Sequence, residues 1–308
     1  MYGIVTLLLG LLMVAPWPSP AMAASETVEV IGEGNAEHIL TSGDTLAALA
    51  RRFDLGYNAL VLANPGVHPW LPEPGERVTL PRRWVLPESD GGDWEILVNQ
   101  AELRLFRRRP GGGIDTYPVS IGKEAHATPL GRTTVVRKAV NPVWGVPDSV
   151  RREAPGLPAR VMPGPDNPLG RYALYLGWPL YLIHGTNAPY GVGKRVTHGC
   201  LRLYPEDIER LFAATRVGDR VLVVEQPIKA GWWQGELHLE VHPPPSGRWP
   251  EGEAYRRSVA VIERAIHRLG GESTTPIIEW TRVEAVAAAA TGIVTVVGRG
   301  PTPEHRRE

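Results

Sequence analysis

Apolar residues recur along the chain with a period that changes from segment to segment. Between Leu46 and Phe53 they fall at Leu46, Leu49, Ala50 and Phe53, the spacing of one helical stripe. A short strand near His38–Leu40 and the start signal Ser42-Gly43-Asp44 precede it. A second short helix, Tyr57–Ala63, ends at Asn64-Pro65-Gly66, and Arg77–Pro81 closes as a strand. Residues 37–82 therefore read as a compact βααβ unit. Residues 83–93, with Pro, Gly and acidic positions, read as a short linker.

From residue 94 to 225 the period shortens to two. Trp94–Val98 and Glu102–Phe106 alternate around Asn99-Gln100-Ala101 and predict a hairpin. Further strands are predicted at 114–121 and 132–138, in YALYLG and YLIHG around Gly177-Trp178-Pro179, and at 219–225. Many short strands with few helices predict a mainly β domain, a β-sandwich or mixed barrel. Asn141–Leu169 carries seven prolines and little periodicity. A loop this long reads as a lid over a cleft, with a surface excursion as the alternative.

Residues 226–308 read as a small C-terminal α/β appendage that packs on the preceding domain or serves a partner. In 236–242, Leu237, Leu239 and Val241 alternate with His238, Glu240 and His242; the polar face reads as solvated rather than metal-binding. Tyr255, Val259, Ile262, Ile266 and Leu269 form a helical stripe in 252–269. A helix near Val283–Ala290, a strand Ile293–Val297 and a disordered tail from Gly300 follow.

Composition narrows the class. At 308 residues, two or three units are expected. Lys plus Arg and Asp plus Glu both number 33, so no net field draws the protein to nucleic acid or an anionic membrane. The run Ile4–Ala15 is too short to span a bilayer and leads to Ala21-Met22-Ala23, so residues 1–23 read as a cleavable signal peptide. An uncleaved anchor is the alternative, and either way the rest is exported. A single cysteine, Cys200, excludes an intrachain disulfide and points to a reactive thiol or intermolecular pairing.

That cysteine lies in the richest stretch, Tyr181–Phe212, with two of the nine histidines, His184 and His198, and glycines beside all three. A thiol attacks a carbonyl once an imidazole takes its proton. The run LYLI reads as a buried strand delivering His184. RVTHGCLRL, if extended, puts Val196, His198, Cys200 and Arg202 on one face. Gly199 lets a carbonyl approach the backbone closely, as an oxyanion hole requires. His-x-Cys is also half of a metal site, but no second Cys or His pair with zinc-like spacing stands nearby. Both histidines remain candidates for the base, since spacing does not rank them.

His184, Gly185, Thr197, His198, Gly199, Cys200 and Arg202, with Cys200 sixteen residues after His184, resemble the signature of the L,D-transpeptidase (YkuD-type) catalytic domain. HATPLG is similar to the family's PxG element, and Arg202 stands where some members carry Asn. The βααβ unit, with GDTL and ANPG at its helix boundaries, resembles a LysM module. The first resemblance implies a Cys200 nucleophile, His184 as proton donor and acceptor, and the Gly185 carbonyl orienting it. His198 supports the site, and the amides of His198, Gly199 and Cys200 form the oxyanion hole. Thr197 ties the loop; Arg202 holds a substrate carboxylate or braces the loop by an ion pair. No metal or organic cofactor is implied.

The implied reaction is periplasmic acyl transfer from the third residue of a peptidoglycan tetrapeptide stem, usually meso-diaminopimelate, with release of D-alanine. The acceptor is an amine of another stem, giving a 3–3 cross-link, or of an outer-membrane lipoprotein. With water the enzyme is an L,D-carboxypeptidase. A third reading is a non-catalytic peptidoglycan-binding protein. The LysM resemblance implies glycan contacts in Thr41–Thr45 and Ala63–Val67, or a purely structural cap.

Overall fold

One eight-stranded sheet organises the middle of the chain, seen in a computed structural model that describes residues 28–89, 91, 93–268 and 276–300. The predicted export segment 1–23, Leu269 and the tail beyond Gly300 lie outside the described residues. From edge to edge the strands are Leu201–Arg202, Leu182–His184, Tyr172–Leu176, Gly131–Val140, Arg220–Val224, Ile96–Asn99, Arg104–Arg108 and Ile114–Pro118. Most neighbours are antiparallel, but Arg220–Val224 runs parallel to Ile96–Asn99, and Leu182–His184 parallel to Leu201–Arg202.

The sheet curls until its edges meet. Ser120, just past the last strand, bridges Arg202 in the first through reciprocal N–H···O bonds of 2.8 and 2.9 Å. Closure pairs edge groups that would otherwise be exposed. Ile96, Val98, Leu105, Leu174, Ile183 and Val221 fill the interior, sealed by Ile208 and Leu211 of the helix Pro205–Ala214. The mainly β fold expected from the alternation is the one observed.

The N-terminal unit has the expected order: Ala36–Ile39, Leu46–Arg52, Tyr57–Ala63 and Arg77–Leu80, the outer two paired antiparallel. Its first helix is capped by Thr45, whose Oγ1 accepts from Ala48 N at 3.1 Å. Asp44 instead closes its own turn, accepting from the Thr41 amide and hydroxyl at 2.8 Å each. Asn64 turns inward, donating to the Leu60 and Thr79 carbonyls at 2.8 and 2.9 Å, so its side chain is a structural staple. The unit docks on the loop that leads to Cys200. Tyr57 N and Asn58 N donate to Val192 O and Gly193 O at 3.1 and 3.2 Å, and Arg51 grips Glu206 through two bonds of 2.8 and 2.9 Å.

The stretch 83–93, expected as a linker, contains the strand Arg83–Val85, paired with Val30–Gly32. Beyond residue 226, Ile228–Trp233, Glu236–Val241, Thr295–Arg299 and Ile277–Ile278 form an antiparallel sheet. Helices Glu253–Arg268 and Trp280–Ala289 share a core with it. The longer helix buries Ala254, Ser258, Val261, Ile262 and Ala265, and Tyr255 and Ile266 of the predicted stripe pack against the same core, so the packed face is the predicted one widened by small side chains.

One expectation is overturned. His238, Glu240 and His242 do not face solvent; all three are buried. Lys229 Nζ lies 2.6 Å from Glu102 Oε1 and 2.9 Å from Glu240 Oε2, and His242 Nε2 is 2.7 Å from Glu240 Oε1. Val85 N donates to Glu240 Oε2 at 2.7 Å, and Lys229 donates to Val85 O at 2.6 Å. The period-two pattern separates two faces correctly but carries no information about what packs against the polar one. Here the hairpin that carries Glu102 and the 83–85 strand cover it, so the charges are paired and buried.

Candidate active site

The segment around Cys200 is not one extended run. Arg195–Thr197 pairs parallel with Ile121–Gly122, whereas Leu201–Arg202 belongs to the main sheet beside Leu182–His184. The chain changes sheets at His198-Gly199, so the single face proposed for Val196, His198, Cys200 and Arg202 is interrupted there. Gly199 has φ +103°, and a Cβ on it would meet Tyr181 Cε1 at 2.7 Å; only glycine suits this turn. Thr197, buried, locks the turn: its hydroxyl accepts from Gly199 N at 3.2 Å and donates to Cys200 O at 2.6 Å. The Gly199 N–H is thereby already engaged.

Thr128, in the HATPLG element, was not singled out from sequence and holds the same turn from the other side. Its Oγ1 donates to Gly199 O at 2.8 Å and accepts from Gly122 N at 3.1 Å. Lys123 N donates to Thr197 O at 2.9 Å.

His184 ends its strand and is 4% exposed. Its Nδ1–H donates to Gly185 O at 2.7 Å, which leaves Nε2 as the acceptor. Burial first, then the Arg202 charge, push the imidazole down to about 3, so the ring is neutral at physiological pH. Cys200 is half-buried, with Sγ 3.4 Å from Leu180 O. Burial pushes its thiol up, against the Leu182 N–H and the Arg202 charge, which favour the thiolate. The resting pair is a thiol and a neutral imidazole. His184 pairs in register with Arg202, and Cys200 stands immediately before that strand, so the Arg202 charge acts on both the imidazole and the thiol.

Arg202 has no carboxylate within 4.0 Å among the described residues, and its Nε is buried without a partner. Among the described residues, the loop-bracing ion pair given as one alternative is not seen. The site keeps a desolvated cation beside the thiol.

The segment 141–169 has structure of its own. Trp144–Gly145 pairs with Arg160–Val161, and the helix Asp148–Glu153 lies between them. Asn167 Nδ2 donates to Pro142 O at 2.9 Å and ties the two ends together. Proline and glycine punctuation hid these short elements. The helix reaches the catalytic loop through Glu153, whose Oε2 accepts from His198 Nε2 and from Lys123 Nζ, each at 3.0 Å. Hydrogen bonds from His198 and Lys123 hold that carboxyl down at about 2. Nothing in the spacing signals that Glu153 belongs beside His198, because they are 45 residues apart.

Residues 93–223 match the L,D-transpeptidase catalytic domain family, YkuD, and residues 38–81 match the LysM domain family. Over 219 residues the chain is 40% identical to the probable L,D-transpeptidase ErfK/SrfK of Escherichia coli strain K12, covering 69% of this chain and 70% of that protein. Over 266 residues it is 36% identical to the probable L,D-transpeptidase YbiS of the same strain, covering 83% of each. Among solved structures it is similar to the catalytic domain of the Enterococcus faecium L,D-transpeptidase, with a TM-score of 0.34 and 23% identity over 44% of this chain and 99% of that one. The chain belongs to the L,D-transpeptidase family and is an enzyme of that type, with a LysM domain ahead of its catalytic domain.

Proposed function

We propose that the chain acts in the periplasm on peptidoglycan stem peptides by acyl transfer through Cys200. His184 Nε2 takes the thiol proton as sulfur attacks the carbonyl of the third stem residue. The tetrahedral oxyanion is held by the amides of His198 and Cys200, each worth on the order of 3 kcal/mol. Gly199 shapes that hole without donating, since its N–H serves Thr197. His184 then protonates the departing D-alanine amine, leaving a thioester. An incoming amine gives its proton to the same imidazole and displaces the sulfur.

Starting from two neutral groups avoids holding a buried ion pair before substrate arrives. Arg202 is the group that makes the site selective for a carboxylate-bearing residue such as meso-diaminopimelate. The observation that carries the reading is Arg202, in register with His184, two residues after Cys200, and with no carboxylate within 4.0 Å among the described residues. The LysM unit supplies glycan contacts through Thr41–Thr45 and the backbone of Ala63–Val67, with Asn64's side chain reserved for the fold. Residues 1–23 direct export. The acceptor is an amine of a second stem or of an outer-membrane lipoprotein.

Incubation with purified disaccharide-tetrapeptide tests the reading. A dimer formed with loss of D-alanine supports transfer to a stem. A lipoprotein conjugate, in reactions supplied with that acceptor, supports anchoring. Tripeptide alone replaces the transferase reading with hydrolysis, and no reaction leaves only a wall-binding protein.

A further inference from the structure

Three ligand-type side chains from three separate segments converge beside the catalytic loop. His126 ends the turn Glu124–His126, Glu153 ends the lid helix, and His198 stands two residues before Cys200. Their ligand atoms all lie within 4.8 Å of one another. The two Nε2 atoms approach opposite oxygens of one carboxylate: His198 lies 3.0 Å from Oε2 and His126 lies 3.6 Å from Oε1. We propose that His126, Glu153 and His198 form a binding site for a divalent transition-metal ion of the zinc class, which pins the lid helix to the catalytic loop.

Two imidazoles and one carboxylate are a donor set that zinc accepts with a fourth position left open. Metal–nitrogen bonds of about 2.0–2.1 Å require the three groups to close in only modestly from where they stand. The side chains are 27%, 46% and 32% exposed for His126, Glu153 and His198, so an ion can enter directly from solvent. Lys123 Nζ, 3.0 Å from Oε2, occupies part of the site as a competing cation; at 38% exposure it can swing out when an ion replaces its charge.

A second cluster among the described residues, Glu102, Glu240 and His242, differs on the decisive point. Lys229 fills the space between its carboxylates, and the whole group is buried. It carries a structural ion network instead.

Occupancy has a mechanical consequence. His126 precedes Thr128, which holds Gly199, and His198 adjoins Gly199 directly. An ion on all three ligands therefore couples lid position to the turn that presents Cys200. This inference does not depend on acyl transfer, and its test needs no turnover.

The full chain carrying Cys200→Ala is titrated with Co2+, which reports nitrogen and oxygen ligation through visible d–d bands without a thiol to compete. The expected result is saturation at one ion per chain, reversed by Zn2+. His126→Asn and Glu153→Gln in the same background are expected to weaken binding by at least about tenfold, with unchanged far-UV circular dichroism. Zn2+ is also expected to slow tryptic cleavage after Arg151 and Arg152 in the lid helix, but not when Glu153→Gln is present. The proposal is overturned if the Cys200→Ala chain binds no Co2+, or if either ligand variant binds as tightly as its parent. Protection of the lid that persists in Glu153→Gln overturns the pinning.

Discussion

Glu153 Oε2 accepts a hydrogen bond from His198 Nε2 at 3.0 Å, joining the helix Asp148–Glu153 to the turn that presents Cys200. The two residues come from segments with no shared pattern, yet one carboxylate gathers Lys123 as well, so charge-assisted bonds hold the helix Asp148–Glu153 against the turn. Glu153→Gln keeps the shape and removes the charge. The expected outcome is faster amide exchange over 148–153 and a roughly fivefold lower kcat/KM for tetrapeptide donor, with little change in global stability. Exchange mass spectrometry and steady-state kinetics check both halves.

Arg202 tests substrate selection. Arg202→Ala is expected to raise KM for a donor stem bearing a free side-chain carboxylate by roughly tenfold to a hundredfold, the range for losing a charge-assisted contact. An amidated donor, which lacks that charge, should show a much smaller penalty in the variant. Equal losses on both donors would mean that Arg202 does not read the carboxylate.

Thr197 tests the turn. Thr197→Val keeps the volume but strands the Gly199 N–H and takes the donor from the Cys200 carbonyl. Leaving such buried groups unpaired costs about 1–3 kcal/mol each. Urea denaturation is expected to show a lower midpoint with an unchanged slope. Activity should fall further than stability, because the same turn aims the thiol.

The buried network of Lys229, Glu102, Glu240 and His242 tests the role of residues 226–308. Lys229→Met leaves two carboxylates buried without their cation, expected to cost about 3–5 kcal/mol. Truncation after residue 225 removes the same partner from Glu102 and uncovers Val85. The truncated chain is expected to be poorly soluble, and a soluble, fully active product would show the C-terminal unit to be dispensable.

Asp207 sets a pH dependence. Burial first, then the charge of Asp54, push its carboxyl up to about 7, against the hydrogen bond from Arg210. A free aspartate ionises near about 3.9. The folded state therefore holds a proton that the unfolded chain releases between about pH 4 and 7, and this group's contribution to stability falls as pH rises through that window. Asp207→Asn removes the titration. Its stability relative to the parent is expected to increase from about pH 4 to pH 8, read from urea midpoints, and a flat difference would contradict the shift.

The parts of this molecule legible in sequence are those governed by local period and local chemistry. The Leu46–Phe53 stripe, the alternating strands around the Asn99 turn and the HGT…THGC motif each carry their signal within a few residues. Gly199 was recognisable as a close-approach glycine for the same reason. What escaped was set by packing between distant segments. The polar face of 236–242 is buried because a strand and a hairpin more than a hundred residues earlier cover it. Thr128 and Glu153 reach the site through folds of the chain that no spacing encodes. The switch of sheets at His198-Gly199 likewise depends on two different partner strands, Ile121–Gly122 and Leu182–His184.

The central claim is that Cys200 carries the acyl group, and intact-protein mass spectrometry of the enzyme quenched during turnover of disaccharide-tetrapeptide tests it most directly. The expected spectrum shows a single adduct with the mass of the donor less D-alanine, mapped to Cys200 and absent from Cys200→Ala. Product formation by Cys200→Ala, or an adduct on another residue, would contradict it.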